Sequence, residues 1–487
     1  MGKERLFEAK ERAERGKTAL DAHEMRCREM FDEIERGESV YISVDRQIME
    51  GEVENAYANE VTAGDGQCVR VSLLSDQMLT YDGAMFETRD KAELLNKYKP
   101  YFASFIVPLE ENSLHEIAGL GREWHIGQFI SNEKSNENDE ILPGAVLLNG
   151  ILETSASPVS YLEGKLLVFR NKAISPSLLG RINRTYNPKN FTFTNSGDIE
   201  SILQAAWDRD IPNKIDIYNV GHGNADYIRG THHRILYDVG YNYRSLPQQR
   251  MGKYQKAAAA IRHLKPDCVI LSHWDLDHII GCAYAEQDIF VRKWIAPHLV
   301  SSKDKKASSN SVRLAQYLNI LGSLCLVDRD QPDKLIATVS CAGQVKIKVW
   351  LGSGTSALTA KNREGLLIEI LHKSGAYPHV LLAGDVPYQC MPNHILQNPI
   401  DFMHVPHHCS KMELSRLKKI PGGGACAVIS TNRKKDKKLN CDACHYCRLK
   451  DKFTSVVATI EHPSGNDAEN LSVEISYSKS GITHSLR

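Results

Sequence analysis

The 487-residue sequence lacks several features that define large classes of proteins. It has no apolar run of about 18 residues, the length that a membrane-spanning helix requires. Its formal net charge is zero, so no overall field draws it to nucleic acid or to an acidic membrane. Its 12 cysteines are too sparse for a small secreted disulfide framework, and its first residues are charged rather than apolar. We therefore expect a cytoplasmic protein with reduced cysteines and no membrane association.

Chain length and the change of sequence pattern along the chain predict two domains, because a chain of this length is too long to fold around one hydrophobic core. Residues 1–212 predict an accessory α+β domain, with an amphipathic helix over residues 3–37 and strands at SVYISV and CVRVSLL. This part has no catalytic motif, so we expect it to be a sensor or to bind a protein partner. Residues 213–487 alternate between strands and helices in an α/β pattern, with polar residues at the strand ends.

Four side chains that can bind metals follow a predicted buried strand at residues 269–272. Within SHWDLDH, alternation places His273, Asp275 and Asp277 on one side, and a turn brings His278 to an adjacent position. One ion could not use all four with further ligands, so the pattern predicts two neighbouring ions. Imidazole and carboxylate suit Zn²⁺, Mn²⁺ or Fe better than Ca²⁺. The alternative, a solvated loop with helix-capping aspartates, is disfavoured by four ligand types in six positions.

The stretch SHWDLDHIIG resembles the His-x-His-x-Asp-His signature of the metallo-β-lactamase superfamily, with Asp275 in place of the second His. The soluble hydrolase domains of ComEC-type competence proteins have a similar pattern. The resemblance continues in order through VGHGNADYI, RILYDVG, LLAGDV and VPHHCS, where Cys409 replaces a glycine of the family. It covers about residues 214–480. It implies a mixed α/β (α+β) fold, the αββα sandwich of this superfamily, behind the accessory domain.

The resemblance also implies a set of metal ligands. His273 and Asp275 would hold one metal, and Asp277 and His278 would hold the other. Asp385 would bridge the two ions. One histidine of the pair His407 and His408 would complete a ligand shell, and the sequence does not indicate which one. Asp238 would orient a ligand histidine or fix its turn, and Asn362 stands where the competence-type relatives carry an asparagine.

The implied activity is metal-dependent hydrolysis, in which two divalent metals, Zn²⁺ or Mn²⁺, activate a water. Asp277 would orient the water, and His222 or Lys411 would stabilise an oxyanion or protonate the leaving group. His222 lies in a glycine turn and fits a structural role equally well. We expect a phosphodiesterase or nuclease that acts on nucleic acid or a nucleotide. The alternatives are hydrolysis of another ester, amide or thioester, and a non-catalytic scaffold in a bacterial defence system.

Two further stretches near the C-terminus carry chemistry. Cys441, Cys444 and Cys447 have Cys-x2-Cys-x2-Cys spacing with His445 between them, which predicts an additional structural Zn²⁺. A reduced cysteine-rich loop is the alternative. Residues 411–450 contain eleven Lys and Arg against three acidic residues, an excess that suits an approaching polyanion. A solvated lysine loop fits nearly as well, and the stretch has no interleaved aromatic residues for base stacking.

Overall fold

The computed structural model describes most of the chain, and its contacts divide the protein into two compact units. Unit 1 comprises residues 1–188 and 306–322, and unit 2 comprises residues 189–305 and 323–487. The predicted domain boundary between residues 212 and 213 stays a prediction. The residues that the structure describes are 23, 25–44, 68–108, 120, 123–131, 142–149, 159–169, 172–221, 223–241, 255–303, 305, 307–330, 335–353, 360–373, 379–409, 417, 425–430, 445–459, 470–475 and 483–485.

Unit 1 contains a closed antiparallel barrel with the strand order β1-β2-β3-β5-β6-β4. Its strands are β1 (Ser39–Val44), β2 (Cys68–Leu74), β3 (Phe102–Pro108), β4 (His125–Ser131), β5 (Leu142–Asn149) and β6 (Val159–Val168). Its helices are residues 25–35, Asp76–Glu87, Lys91–Lys97, Pro176–Thr185 and Ser309–Leu321. The structure confirms the two predicted strands, which are β1 and β2. Residues 3–22 of the predicted N-terminal helix lie outside the described residues.

A buried ion pair joins the helix Ser309–Leu321 to the rest of unit 1. The Nε atom of Arg313 donates to both carboxylate oxygens of Asp82, at 3.0 and 2.9 Å, and both side chains are fully buried. The guanidinium group also stacks 3.8 Å from the ring centroid of Tyr101, and the hydroxyl of Tyr186 donates to Asp82. The helix Ser309–Leu321 therefore supplies the positive charge that neutralises a carboxylate inside unit 1, although it lies far from Asp82 in the sequence.

Unit 2 consists of two mixed sheets that enclose one hydrophobic core. The first has the order β12-β11-β10-β9-β8-β7-β20-β21, and the second runs in order from β13 to β19. The strands of the first sheet are β7 (Lys214–Tyr218), β8 (Asp226–Arg229), β9 (Arg234–Tyr237), β10 (Cys268–Ile270), β11 (Lys293–Pro297), β12 (Leu324–Val327), β20 (Asn470–Glu474) and β21 (Thr483–Ser485). Those of the second are β13 (Leu335–Cys341), β14 (Val345–Leu351), β15 (Leu366–His372), β16 (His379–Leu382), β17 (Phe402–His404), β18 (Cys426–Ile429) and β19 (Ser455–Ala458).

The helices of unit 2 are short. Two of them are Ser196–Trp207 and Gln255–Arg262. The remaining α-helices are Leu276–Ile279, Ala360–Arg363, Asn393–Gln397 and His445–Lys450. Among the described residues, no helix combines the length and the hydrophobicity that crossing a membrane would require.

Parallel strand pairing brings polar residues of unit 2 to common sheet edges. Strands β9 to β12 are mutually parallel, as are strands β16 to β19. Asp238 follows β9 directly, and His273 comes shortly after β10. In the second sheet, Asp385 follows β16, and His407 follows β17. Because carboxyl ends of parallel strands meet at one edge, each sheet gathers its polar residues from separate parts of the chain.

Asp210 shows how strongly backbone donors stabilise one carboxylate of unit 2. Burial opposes its charge, but the backbone N–H groups of His232, His233, Thr231 and Ile211 donate to it and lower its pKa to about 2. Because the folded-state pKa lies below the ordinary 3.8, this contribution is complete above that pH and is lost as the pH falls through about 2.

We therefore expect Asp210→Asn to lower the free energy of unfolding by about 2 kcal/mol at pH 7. The difference from the wild-type chain should shrink steadily below pH 4. Urea unfolding measured at a series of pH values checks this result. A difference that does not depend on pH would show that the carboxylate charge is not the cause.

Candidate metal centre

Ligand side chains from both sheets of unit 2 converge on one carboxylate, that of Asp385. Two loops carry most of them: residues 273–278 after β10 and residues 407–408 after β17. Asp385 follows β16 and is 3% exposed. Six side chains surround it, and they are His273, Asp275, Asp277, His278, His407 and His408.

The two oxygens of Asp385 face two different sets of ligand atoms. Oδ2 lies 3.6 Å from Nε2 of His273 and 3.6 Å from Nε2 of His407. The Nε2 atom of His273 also lies 3.5 Å from Oδ2 of Asp275. We call His273, Asp275 and His407 the His273 group. It has one half-buried carboxylate, Asp275, and one partly exposed imidazole, His407.

The other oxygen of Asp385 faces a more deeply buried set. Oδ1 lies 3.2 Å from Nε2 of His278 and 3.8 Å from Nε2 of His408. The Nε2 atom of His408 lies 3.5 Å from Oδ2 of Asp277. We call Asp277, His278 and His408 the His408 group. One ligand atom from each of its three members lies within 4.8 Å of the others, which suits a single ion.

Asp238 fixes the orientation of His278. It accepts hydrogen bonds from the backbone N–H and the hydroxyl of Ser272, at 2.6 and 2.8 Å. Its Oδ2 atom lies 2.7 Å from Nδ1 of His278, so Nδ1 carries the proton and donates. Because Nδ1 is held by Asp238, Nε2 of His278 faces Asp385 and is the nitrogen that could bind an ion. Asp238 itself adopts a positive φ of 60° at the end of β9.

Asn362 holds the shared carboxylate from the other side. It lies in the short helix Ala360–Arg363, and its Nδ2 donates to Oδ2 of Asp385 at 2.9 Å. The amide leaves Oδ1 of Asp385 to the His408 group. Asp238 therefore fixes His278, and Asn362 fixes the carboxylate of Asp385 that both ligand groups share.

Charge inside the centre shifts the pKa of two groups in opposite directions. Burial disfavours charge on His278, but the carboxylates of Asp385 and Asp238 outweigh burial and raise its pKa well above the usual value. Burial likewise disfavours charge on Asp385. The imidazoles of His278, His407 and His273 outweigh it and lower the pKa of Asp385 well below the usual value. A cation between these groups would supply the positive charge that the imidazoles provide here.

The donor set fits divalent metals. Among the described residues, Nε2 of His273 and Oδ1 of Asp385 are buried and have no hydrogen-bond partner. Buried polar atoms are nearly always paired, so two such atoms, one in the His273 group and one facing the His408 group, indicate missing ligands. Imidazole nitrogens combined with carboxylate oxygens are the donors that Zn²⁺, Mn²⁺ and Fe²⁺ prefer. The His273 group and the His408 group, with Asp385 between them, could therefore each hold one ion.

The loop that carries His407 and His408 has an unusual backbone. His407, His408 and Cys409 have φ values of 49°, 52° and 66°, all in the left-handed region. Each non-glycine residue there costs roughly 1 kcal/mol, so the surrounding structure must hold the loop in place. The N–H of His407 donates to the carbonyl of Gly384 at 3.0 Å, and Nδ1 of His408 donates to the carbonyl of Ser430 at 3.0 Å.

Several predicted site residues cannot be placed in this arrangement. His222, Lys411, Cys441 and Cys444 lie outside the described residues, as do the side chains of His445 and Cys447. Their roles stay predictions. Sequence reasoning missed Ser272 and Ser430, which contact Asp238 and His408 respectively, and His404, which contacts Ser430. Only their positions beside strand ends could have indicated them.

The metallo-beta-lactamase superfamily model matches residues 218–338, from the end of β7 into β13. The matched stretch is similar to this superfamily and lies mostly in unit 2. The match, with the sandwich of two mixed sheets, confirms the predicted α/β fold class, and it suggests a metal-dependent hydrolase. A closer relationship of this domain to ComEC-type proteins stays a prediction. No curated protein matches the sequence.

Three solved structures show a distant similarity to this chain. Zn²⁺-bound PqqB from Methylobacterium extorquens has a TM-score of 0.25 at 8% identity, covering 48% of this chain and 76% of its own. CmlA, a diiron β-hydroxylase from Streptomyces venezuelae, has a TM-score of 0.26 at 12% identity, covering 86% and 74%. A diphosphatase from the PhnP family has a TM-score of 0.23 at 10% identity, covering 49% and 74%. Scores this low support no conclusion about reaction or substrate.

Unit 2 leaves no room for a side chain at Gly240. A Cβ atom there would overlap the backbone carbonyl of Asp277 and the backbone of Asn224. We expect Gly240→Ala to displace Asp277 and to weaken metal binding by the His408 group at least about tenfold, because backbone atoms cannot move aside cheaply. Metal titration of the purified variant checks this.

Gly83 offers a matched control, since nothing lies within 4 Å of a Cβ added there. It sits inside the helix Asp76–Glu87, so Gly83→Ala should stabilise unit 1 slightly and leave metal binding unchanged. Equal metal affinities in the Gly240 and Gly83 variants would contradict the close approach to Asp277.

Proposed function

We propose that this protein is a metal-dependent hydrolase whose centre holds two divalent ions, Zn²⁺ or Mn²⁺, and that it cleaves phosphodiesters in nucleic acid or a nucleotide. One observation carries the proposal: the two oxygens of Asp385 face separate ligand groups, each with imidazole and carboxylate donors. A carboxylate in this position suits a bridge between neighbouring cations. Two bound cations would lower the pKa of water and neutralise charge that develops on a substrate oxygen.

The residues around the ions have separate tasks in this proposal. Asp238 and Asn362 hold His278 and Asp385 in position, so the ligand atoms need little rearrangement. Asp277 is 4% exposed, and its carboxylate could orient an attacking water as well as bind an ion. We assign oxyanion stabilisation or leaving-group protonation to His222 or Lys411 on sequence grounds.

The preference for phosphodiesters rests on charge. Residues 411–450, directly after the histidine loop, carry eleven Lys and Arg against three acidic residues. Binding of a polyanion through such residues weakens as the salt concentration rises, because releasing counterions into a more concentrated salt solution is less favourable. If the substrate is a nucleic acid, KM should rise steeply between 50 and 200 mM salt. The KM of a small neutral ester, amide or thioester would depend little on salt. A KM that does not change with salt would therefore indicate such a substrate.

The first experiment measures metal content by elemental analysis. We expect about two transition-metal equivalents beyond any bound by Cys441, Cys444 and Cys447, in line with the two ligand groups that face Asp385. The double variant Asp277→Ala/His278→Ala removes two of the three members of the His408 group, and the ligand atoms of His278 also lie within 4.8 Å of those of His273 and Asp385. It should therefore lose bound metal and most of its activity.

Screening of DNA, RNA, cyclic nucleotides and neutral esters with the metal-loaded protein then identifies the substrate class. If the wild-type chain takes up no metal when Zn²⁺ or Mn²⁺ is supplied, the hydrolase proposal is wrong. The chain would then be a non-catalytic scaffold in a multi-protein system. A metal-loaded chain that cleaves only neutral esters would keep the hydrolase and overturn the phosphodiester assignment.

A further inference from the structure

A hydrogen-bonded series of buried polar groups connects the two sheets of unit 2 beside the metal centre. Asp226 begins β8 in the first sheet, and His404 ends β17 in the second. The Nδ1 atom of His404 lies 2.6 Å from Oδ2 of Asp226, and both side chains are at most 1% exposed. The Nε2 atom of His404 lies 3.0 Å from the hydroxyl of Ser430, which follows β18 and is fully buried.

Strand register explains how Asp226 and His404 meet. Asp226 is paired with Ile217 and Tyr237, and both of these side chains belong to the core between the sheets. His404 is paired with Leu382 and Val428, which belong to the same core. Paired residues face the same side of a sheet, so Asp226 and His404 both face inward and meet across the sandwich.

This hydrogen-bonded series ends at His408, a candidate ligand of the metal centre. The backbone carbonyl of Ser430 accepts a hydrogen bond from Nδ1 of His408 at 3.0 Å. Because a carbonyl can only accept, Nδ1 of His408 carries the proton, and the lone pair on Nε2 faces Asp277 and Asp385. Ser430 is thus held through its side chain by His404, and it holds His408 through its backbone.

We propose that Asp226, His404 and Ser430 are positioning residues that set the geometry of the His408 group. That group needs such a device, because its ligands come from both sheets: Asp277 and His278 follow β10, whereas His408 follows β17. A small slide of one sheet along the other would separate His408 from Asp277. The Asp226–His404 bridge opposes that slide at the sheet edge where the ligands lie. The inference rests on the proposed two-metal centre.

The test is a metal titration of Asp226→Asn, Ser430→Ala and the double variant, each prepared metal-free. Binding of Zn²⁺ is measured by competition with a chromophoric chelator, and the Co²⁺ absorption spectrum reports the ligand geometry. We expect each single variant to weaken one of the two equivalents by about ten- to a hundredfold, and to leave the other unchanged. The double variant should bind no more weakly than the weaker single variant, because both act through Ser430.

Asp216→Asn is the matched control. Asp216 is a buried carboxylate on the neighbouring strand β7, where it accepts a hydrogen bond from Ser472 at 2.6 Å. The thermal stability of Asp216→Asn is compared with that of the other variants. The two Zn²⁺ affinities and the Co²⁺ spectrum of Asp216→Asn should match those of the wild-type chain. Should Asp226→Asn fail to fold, Ser430→Ala alone decides the matter, since it removes only a hydroxyl group.

Two results would overturn the positioning role, and they differ in what else they overturn. Wild-type Zn²⁺ affinities in Ser430→Ala, with or without a fall in thermal stability, would show that the network is structural only. The two-metal centre would survive that result. Failure of the wild-type chain to bind two equivalents would overturn the centre itself and the positioning role with it.

Discussion

Replacing Asp385 with alanine is expected to abolish binding of both metal ions and to lower the rate of hydrolysis by about a thousandfold or more. The other ligands each belong to one group, whereas Asp385 contributes Oδ2 to the His273 group and Oδ1 to the His408 group. Without Asp385, the neighbouring imidazoles of His273, His278 and His407 also lose the carboxylate that attracts them electrostatically. Metal content and kcat/KM of the same preparation check both expectations.

Asp401→Asn is the matched control for Asp385→Ala. Asp401 is also a buried carboxyl group of the second sheet, but it precedes β17, whereas the ligand histidines follow that strand. It accepts a hydrogen bond from the backbone N–H of His379 at 2.7 Å, and an amide oxygen can still do so. Two metal equivalents retained by Asp385→Ala would show that this carboxylate does not join the two groups.

Replacing Arg313 with methionine is expected to lower the free energy of unfolding of unit 1 by about 3–5 kcal/mol. The guanidinium group and the Asp82 carboxylate are both fully buried, so the substitution leaves Asp82 without a charged partner. Burial already raises the pKa of Asp82, and Arg313 opposes that rise. Hydrogen exchange of peptides from β3, measured by mass spectrometry, reports the stability of unit 1 separately from unit 2.

The double variant Asp82→Leu/Arg313→Met separates loss of the ion pair from loss of packing. Removing both charges should recover most of the stability that Arg313→Met loses, because apolar pairs of similar volume often replace buried ion pairs without cost. Protection factors in unit 2 should not change in either variant. Equal exchange rates in the single and double variants would show that charge burial is not the source of the effect.

The strands and the order of ligand residues could be predicted because both are local properties of the sequence. Short apolar stretches identify β1 and β2, and polar residues directly after apolar runs identify the ends of β9 and β10. Parallel strands bring such ends together whatever the intervening loops do. That rule is sufficient to place Asp238 and His273 at one edge, before any distance is known.

The remaining features depend on contacts between distant segments, which sequence periodicity does not encode. The position of both His407 and His408 beside Asp385 depends on three consecutive residues in the left-handed conformation, His407, His408 and Cys409. The sequence gives no signal of that conformation. The meeting of Asp226 and His404 depends on how two sheets are stacked. The membership of residues 306–322 in unit 1 depends on contacts with distant segments, among them the ion pair between Arg313 and Asp82 and the hydrogen bonds between Asn310 and Ala103.

The helix Ser309–Leu321 also has a consequence for the order of events during protein synthesis. Unit 1 is not complete at residue 188, because the partner of Asp82 is made only when the ribosome reaches Arg313. By then residues 189–305, including the loop with His273 and His278, have already been translated. The N-terminal unit must therefore wait in an unfinished state while part of the second emerges. A fragment that ends at residue 188 or 212 would stay in that state, whereas one that appends residues 306–322 through a linker could complete it.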